Sequence, residues 1–210
     1  MRLITNAVEV EARLTELQLR RGWLEHSVRV GDAGASSSTA LHPPNDGGVR
    51  RYADTVAGLR AQALPHGWEM SNAKNYCTVF NRRSKTAVAV MAGDAMTGLA
   101  FGTPKSLSPR GPITIDRIAR NKGQLSMFPK IKAPSEIVEE DCSTWALIQY
   151  GTDEGVQFEL SLPKAMNASG YVTDYEERIL FGRIDPQAQV LPVGSQPNGD
   201  PDVDFVVIAR

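Results

Sequence analysis

The apolar pattern of this chain changes its period at Gly67, and that switch limits the folds open to it more than any other feature. Upstream, Val10, Leu14, Leu17, Leu24 and Val28 share one face of a helix expected over 6–30. Asn6 suits the N-cap, and Glu9 three residues on completes a capping-box pattern. Glu11, Arg13, Gln18 and Arg29 take the opposite face, as a solvated surface would. A second helix is expected over 49–64, where Tyr52, Val56, Leu59 and Ala63 keep helical spacing until Pro65 interrupts it.

Beyond Gly67 the runs are short and β-like. Segments 75–81 and 85–91, separated by Arg82, Arg83 and Ser84, read as one hairpin. Segments 145–150 and 156–162, on either side of a turn from Gly151 to Gly155, read as a second. Residues 174–180 fit either helix or strand, and 203–208 a final strand. Between the hairpins lies a loop rich in Gly, Ser, Thr and Pro, then a helix over 113–121 with Pro112 at its entry and Gly123 on its C-cap side. This order predicts an α+β fold, an antiparallel sheet with helices packed on one side, rather than a parallel βαβ arrangement. No fixed-period repeat points to a solenoid or propeller.

Residues 31–48 break the helical pattern with glycines, a Ser36, Ser37, Ser38 run and Pro43 followed by Pro44. The expected organisation is an N-terminal helix over 1–30, a flexible linker over 31–48 and a single α+β domain over 49–210. The first helix is left open between an arm and a docked element.

Composition narrows the class. With 41% hydrophobic and 22% charged residues, 210 residues are enough to bury an ordinary core. A formal charge of -1 gives no global attraction to nucleic acid or anionic lipid. The first six residues lack the apolar core of a signal peptide, and no stretch is long and apolar enough to span a bilayer, so a cytoplasmic location is expected. Cys77 and Cys142 are far apart, as are His26, His42 and His66, so neither a metal site nor a His-activated nucleophile is expected. No cofactor is indicated, and the oligomeric state stays open.

Three features carry chemistry. The first is Gln124, Leu125, Ser126, Met127, Phe128, set between a helix end and Pro129, with Lys122, Lys130 and Lys132 around it. This pentapeptide resembles the motif by which bacterial polymerases and repair proteins bind the DNA sliding clamp. The resemblance implies that Gln124 makes polar contacts, Leu125 packs at the rim, Ser126 faces water, and Met127 and Phe128 fill a hydrophobic cleft. Met127 stands where Leu is commoner, and its flexible thioether adapts to the same space. The alternative is that Leu125, Met127 and Phe128 belong to the domain's own core.

The second feature is the loop following Gly93, whose Gly98, Gly102 and Lys105, with Arg110, are candidate phosphate-binding residues. It departs from a P-loop, because Thr103 and Pro104 intervene before Lys105 and Pro104 removes an N–H donor. The third is the set of acidic residues Glu139, Glu140, Asp141, Asp153 and Glu154 around the Trp145 strand. These suit magnesium ligation in principle and solvated hairpin ends more simply.

In layout, the Gly93, Asp94 turn and the strand end Glu159, Leu160, Ser161, Leu162, Pro163 look like proteins of bacterial plasmids and prophages. The leading expectation is a non-enzymatic binding protein of a mobile element that docks on the sliding clamp. The alternatives are an inhibitor of a host defence complex, such as an anti-CRISPR protein, and an enzyme acting on a phosphate-containing ligand.

Overall fold

A computed structural model describes residues 1–123 and 138–185. Seven strands form one sheet: β1 (Arg2–Ile4), β2 (Glu69–Ser71), β3 (Thr78–Asn81), β4 (Thr86–Ala92), β5 (Ser143–Thr152), β6 (Gly155–Met166) and β7 (Val172–Ile184). Their order across the sheet is β1-β7-β6-β5-β4-β3-β2. Four α-helices accompany them: α1 (Ala7–Glu16), α2 (Arg21–Ser36), α3 (Asp46–Ala63) and α4 (Pro112–Gly123).

The fold is α+β, and its sheet is mixed rather than antiparallel. Both expected hairpins form, as β3 with β4 and β5 with β6. The strands between them, β4 and β5, run parallel from Thr86 beside Ser143 to Ala92 beside Gln149, and β1 runs parallel to β7. Parallel neighbours require a long crossover, and the chain between β4 and β5 supplies one that includes α4. Each hairpin is legible locally, whereas the direction in which two hairpins meet is a long-range choice.

The first expected helix is divided. Asn6 caps α1 as anticipated, its Oδ1 accepting from the Val8 N–H at 2.9 Å and the Glu9 N–H at 3.4 Å. Gln18 then adopts φ 59°, and the Leu19 N–H donates to the Leu14 carbonyl at 2.8 Å. That left-handed residue lets Leu17 and Leu19 both bury before α2 begins. Where a linker was expected from residue 31, α2 continues to Ser36 and α3 starts at Asp46, leaving only 37–45 as a connection. Gly31 is a packing residue, since a Cβ there would overlap Thr55 Oγ1 and crowd the Arg51 carbonyl of α3.

The first helices form no arm. Val10 and Leu14 of α1, Trp23, Leu24 and Val28 of α2, and Val56 and Leu59 of α3 share one buried cluster with sheet residues, among them Val88, Val90, Leu147 and Ile179. Trp145, Leu147, Phe158 and Leu160 belong to it as the strand alternation predicts, with Leu147 beside Leu160. The intervening residues Ala146 and Ile148 point to the other face, where they meet Met91, Val172, Tyr175 and Ile118 of α4. Helices therefore cover both faces, not one. Residues 174–180, open between helix and strand, lie in β7. The expected strand at 203–208 lies outside the described residues. Among the described residues no helix is long and apolar enough to cross a membrane.

Candidate functional site

The connection after β4 is pinned to the sheet by a charge pair inside the protein. Arg178 on β7 and Glu159 on β6 have fully buried side chains. The Arg178 guanidinium donates to both carboxylate oxygens, Nε to Oε1 at 2.9 Å and Nη2 to Oε2 at 2.6 Å. Its remaining N–H groups reach loop carbonyls, Nη1 to Gly102 at 2.8 Å and Nη2 to Leu99 at 3.0 Å. Glu159 also accepts from Ser161 Oγ at 2.6 Å and the Gly98 N–H at 2.8 Å. A buried ion pair persists only where such bonds satisfy its other donors and lone pairs. Gly98 has φ 74°, and a Cβ there would stand 3.2 Å from the Phe158 nitrogen, so this close approach to β6 favours glycine.

Further along, the Leu107 N–H donates to Ala92 at 2.9 Å and the Arg110 N–H to Gly170 at 2.8 Å. Ser106 exchanges bonds with Val172, through its N–H and through its Oγ, both at 3.1 Å. Of the candidate phosphate residues, Gly98 has thus committed its N–H to Glu159, the Gly102 carbonyl accepts from Arg178, and Lys105 is exposed. Arg110, by contrast, lines a cleft.

That cleft lies at the carboxyl ends of the parallel strands β4 and β5, a common place for ligands in sheets with parallel strands. It has two lobes. One of about 240 Å³ is lined by Tyr52, Lys74, Tyr76, Cys77, Arg110 and the first turn of α4 through Thr114. The other, of about 480 Å³, is lined by Val49, Arg51, Tyr52, Leu107, Arg110 and Tyr150. Tyr52 and Arg110 border both. Among the described residues no Asp or Glu lines either lobe.

The cations differ in their commitments. Arg51 donates to Asp32 at 2.8 Å and lies over Gly151, where a Cβ would overlap its guanidinium. Arg110 makes no ion pair among the described residues, and its Nε, like that of Arg51, is buried without an acceptor. Burial pulls the Arg110 guanidinium below its ordinary value, against the opposing influence of the Tyr76, Tyr52 and Tyr175 phenols. Burial also raises Tyr76 and pushes Tyr52 up to about 12, where a bond to Cys77 adds to the effect. These phenols are consequently neutral hydroxyls at physiological pH. Lys74 and Asn75, at φ 56° and 60°, form a left-handed pair at the lobe's rim, a conformation that carries strain in non-glycine residues.

The other candidates serve the fold. Glu139 pairs with Arg117 at 2.6 Å, both nearly buried, and accepts from Thr78 Oγ1 at 2.8 Å, while Glu154 pairs with Arg183. His66 stacks on Trp23, and His42 bonds within its own turn to Thr39. Burial pushes the Cys142 thiol up to about 12, which makes it a poor nucleophile. Among the described residues no three of His, Cys, Asp and Glu gather to hold a metal ion.

The pentapeptide Gln124, Leu125, Ser126, Met127, Phe128 lies outside the described residues. It begins directly after α4, whose Asn121 side chain donates to the Thr144 and Pro163 carbonyls, each at 3.1 Å, and accepts from the Thr144 N–H at 2.8 Å.

The sequence reading overlooked Arg51, Tyr52, Lys74, Tyr76 and Tyr150 because the cleft is assembled from segments far apart in the chain. One local signal existed. Arg110 stands in the string Pro109, Arg110, Gly111, Pro112, which restricts the backbone on both sides of a cation. Comparison of the chain with protein-family models, with curated proteins and with solved structures finds no match, so any functional reading rests on these residues alone.

Proposed function

We propose that this chain is a binding protein that takes an anionic group of a ligand into the cleft around Arg110. One observation carries the reading: a largely desolvated guanidinium that has no carboxylate partner among the described residues, in a cleft that no described acidic residue lines. A desolvated charge is unfavourable until an opposite charge meets it, and a guanidinium matches phosphate or carboxylate with two parallel hydrogen bonds. Lys74 adds a second positive charge to the smaller lobe. Catalysis on a phosphate ester has less behind it, because neither Lys105 nor any described carboxylate joins Arg110 there. The test is a calorimetric titration of inorganic phosphate into the full chain and into Arg110→Ala. Binding that weakens by about tenfold or more in the variant supports the reading. Equal affinities, or no heat from the wild type at millimolar phosphate, reject it.

A second reading comes from the sequence. Gln124, Leu125, Ser126, Met127 and Phe128 match the clamp-binding pattern and start one residue past α4. Recruitment to the bacterial sliding clamp through this segment would be roughly micromolar, about -8 kcal/mol, for a lone peptide. Replacing Met127 and Phe128 together with Ala should abolish clamp binding and leave the melting temperature nearly unchanged. A strongly lowered melting temperature, or wild-type protein silent at tens of micromolar clamp, rules this reading out and favours a defence inhibitor acting through another surface.

A further inference from the structure

The two lobes differ in chemistry, and the difference narrows the ligand. The smaller brings together Arg110, Lys74, the Tyr76 ring and the first turn of α4. The larger has apolar and aromatic walls, Val49, Tyr52, Leu107 and Tyr150, with Arg51 and Arg110 beside them. Val49 is 57% exposed, Leu107 63% and Tyr52 39%. Single apolar side chains in water are ordinary, but these three converge on one cleft beside a cation that has no ion pair among the described residues. A bare phosphate would occupy the smaller lobe and leave that apolar surface wet. The larger lobe has the volume of a small-molecule site.

We infer that the ligand is a mononucleotide whose phosphate lies on Arg110 in the smaller lobe and whose base lies against Tyr52 and Tyr150 in the larger. This rests on the anion-binding reading above and names its ligand class. Arg110 and Tyr52 border both lobes, so one molecule carrying an anion at one end and a flat ring at the other spans them continuously. Every base offers a π-face to a tyrosine, and the phenolic hydroxyls can add hydrogen bonds. A single-stranded nucleic acid fits less well. Such a strand needs a track of cations for successive phosphates, whereas here Arg51 is held by Asp32 and the chain as a whole carries a net charge of -1.

The experiment is calorimetric titration of the full chain with AMP, GMP, CMP, UMP, adenosine, inorganic phosphate and a ten-residue oligothymidylate. At least one monophosphate should bind about tenfold or more tightly than inorganic phosphate, the gain being that of a stacked base. Arg110→Ala should lose about tenfold or more for that nucleotide, with Arg110→Lys intermediate as a control that keeps the charge. Tyr150→Ala should bring the nucleotide down toward the affinity of phosphate and leave phosphate itself unchanged. Circular dichroism melts of each variant confirm that it is folded. If phosphate binds as tightly as every nucleotide, the base site is wrong and the anion reading survives. If neither phosphate nor any nucleotide binds, both fail. Tight binding of the oligonucleotide without any monophosphate overturns the inference in favour of a single strand.

Discussion

The two faces of the sheet are built from different forces. Beneath α1, α2 and α3 the contact is a continuous apolar cluster from Ile4 to Ile184. Beneath α4 and the preceding loop the apolar cluster is smaller, and the buried pairs Arg178 with Glu159 and Arg117 with Glu139 join it. The difference follows from what covers each face. Helices satisfy their own backbone groups and offer only side chains, so apolar packing suffices. A loop brings carbonyls such as those of Leu99 and Gly102 with no ladder partner, and a buried guanidinium provides the donors. The polar face thus tolerates irregular chain against a sheet, and that irregular chain carries Arg110 to the cleft.

The largest expected effect comes from halving the buried pair. Arg178→Ala leaves the Glu159 carboxylate at zero exposure without its counter-charge and should destabilise the fold by about 3–5 kcal/mol, measured by urea denaturation. It should also speed hydrogen exchange across residues 93–111. Replacing both partners with leucine should cost less than Arg178→Ala, because no lone charge remains. A double variant as unstable as the sum of the single ones would show that the pair is not coupled.

On the apolar face the corresponding change is Leu147→Ala, fully buried between the helices and β6. Its loss should be about 3 kcal/mol in denaturant, with no acceleration of exchange in 93–111. Accelerated exchange there would mean that the two faces are not independent.

Gly31→Ala gives a smaller effect, about 1–3 kcal/mol, because the added methyl overlaps Thr55 and forces α2 away from α3. An unchanged melting temperature would indicate that the two helices separate at little cost. The smallest effect is expected at the sheet edge, where a bond from Arg82 holds the Glu69 carboxyl below its ordinary value. The depressed value means that this pair stabilises the fold at neutral pH and stops doing so as pH falls through and below the ordinary carboxylate range. Being exposed, the pair should contribute less than about 1 kcal/mol, and Glu69→Gln should lose that contribution together with its salt dependence.

Legibility varied with the range of the interactions. The Asn6 cap, both hairpins, the Pro112 entry to α4 and the alternation of Trp145 and Leu147 depend on residues within a few positions of one another, and all were readable. The 31–36 segment misled because glycine and serine suit both a flexible linker and a tight helix crossing. Its role is decided by Thr55 and Arg51 across the interface. At the cleft, Arg110 was visible as a loop cation, but Tyr52, Tyr76 and Tyr150 looked like ordinary helix or strand residues.

By itself the sequence determined the helical N-terminal third, the strand-rich remainder, the α+β class and the inward residues of β5 and β6, since local periodicity encodes which face a side chain takes. Tertiary structure alone decided that the two hairpins meet in parallel, that α4 covers the second face, that Glu159 finds Arg178, and that Arg110 lies beside three tyrosines without a carboxylate among the described residues. Those outcomes depend on contacts between distant segments, whose energies arise only when the chain closes on itself and excludes water.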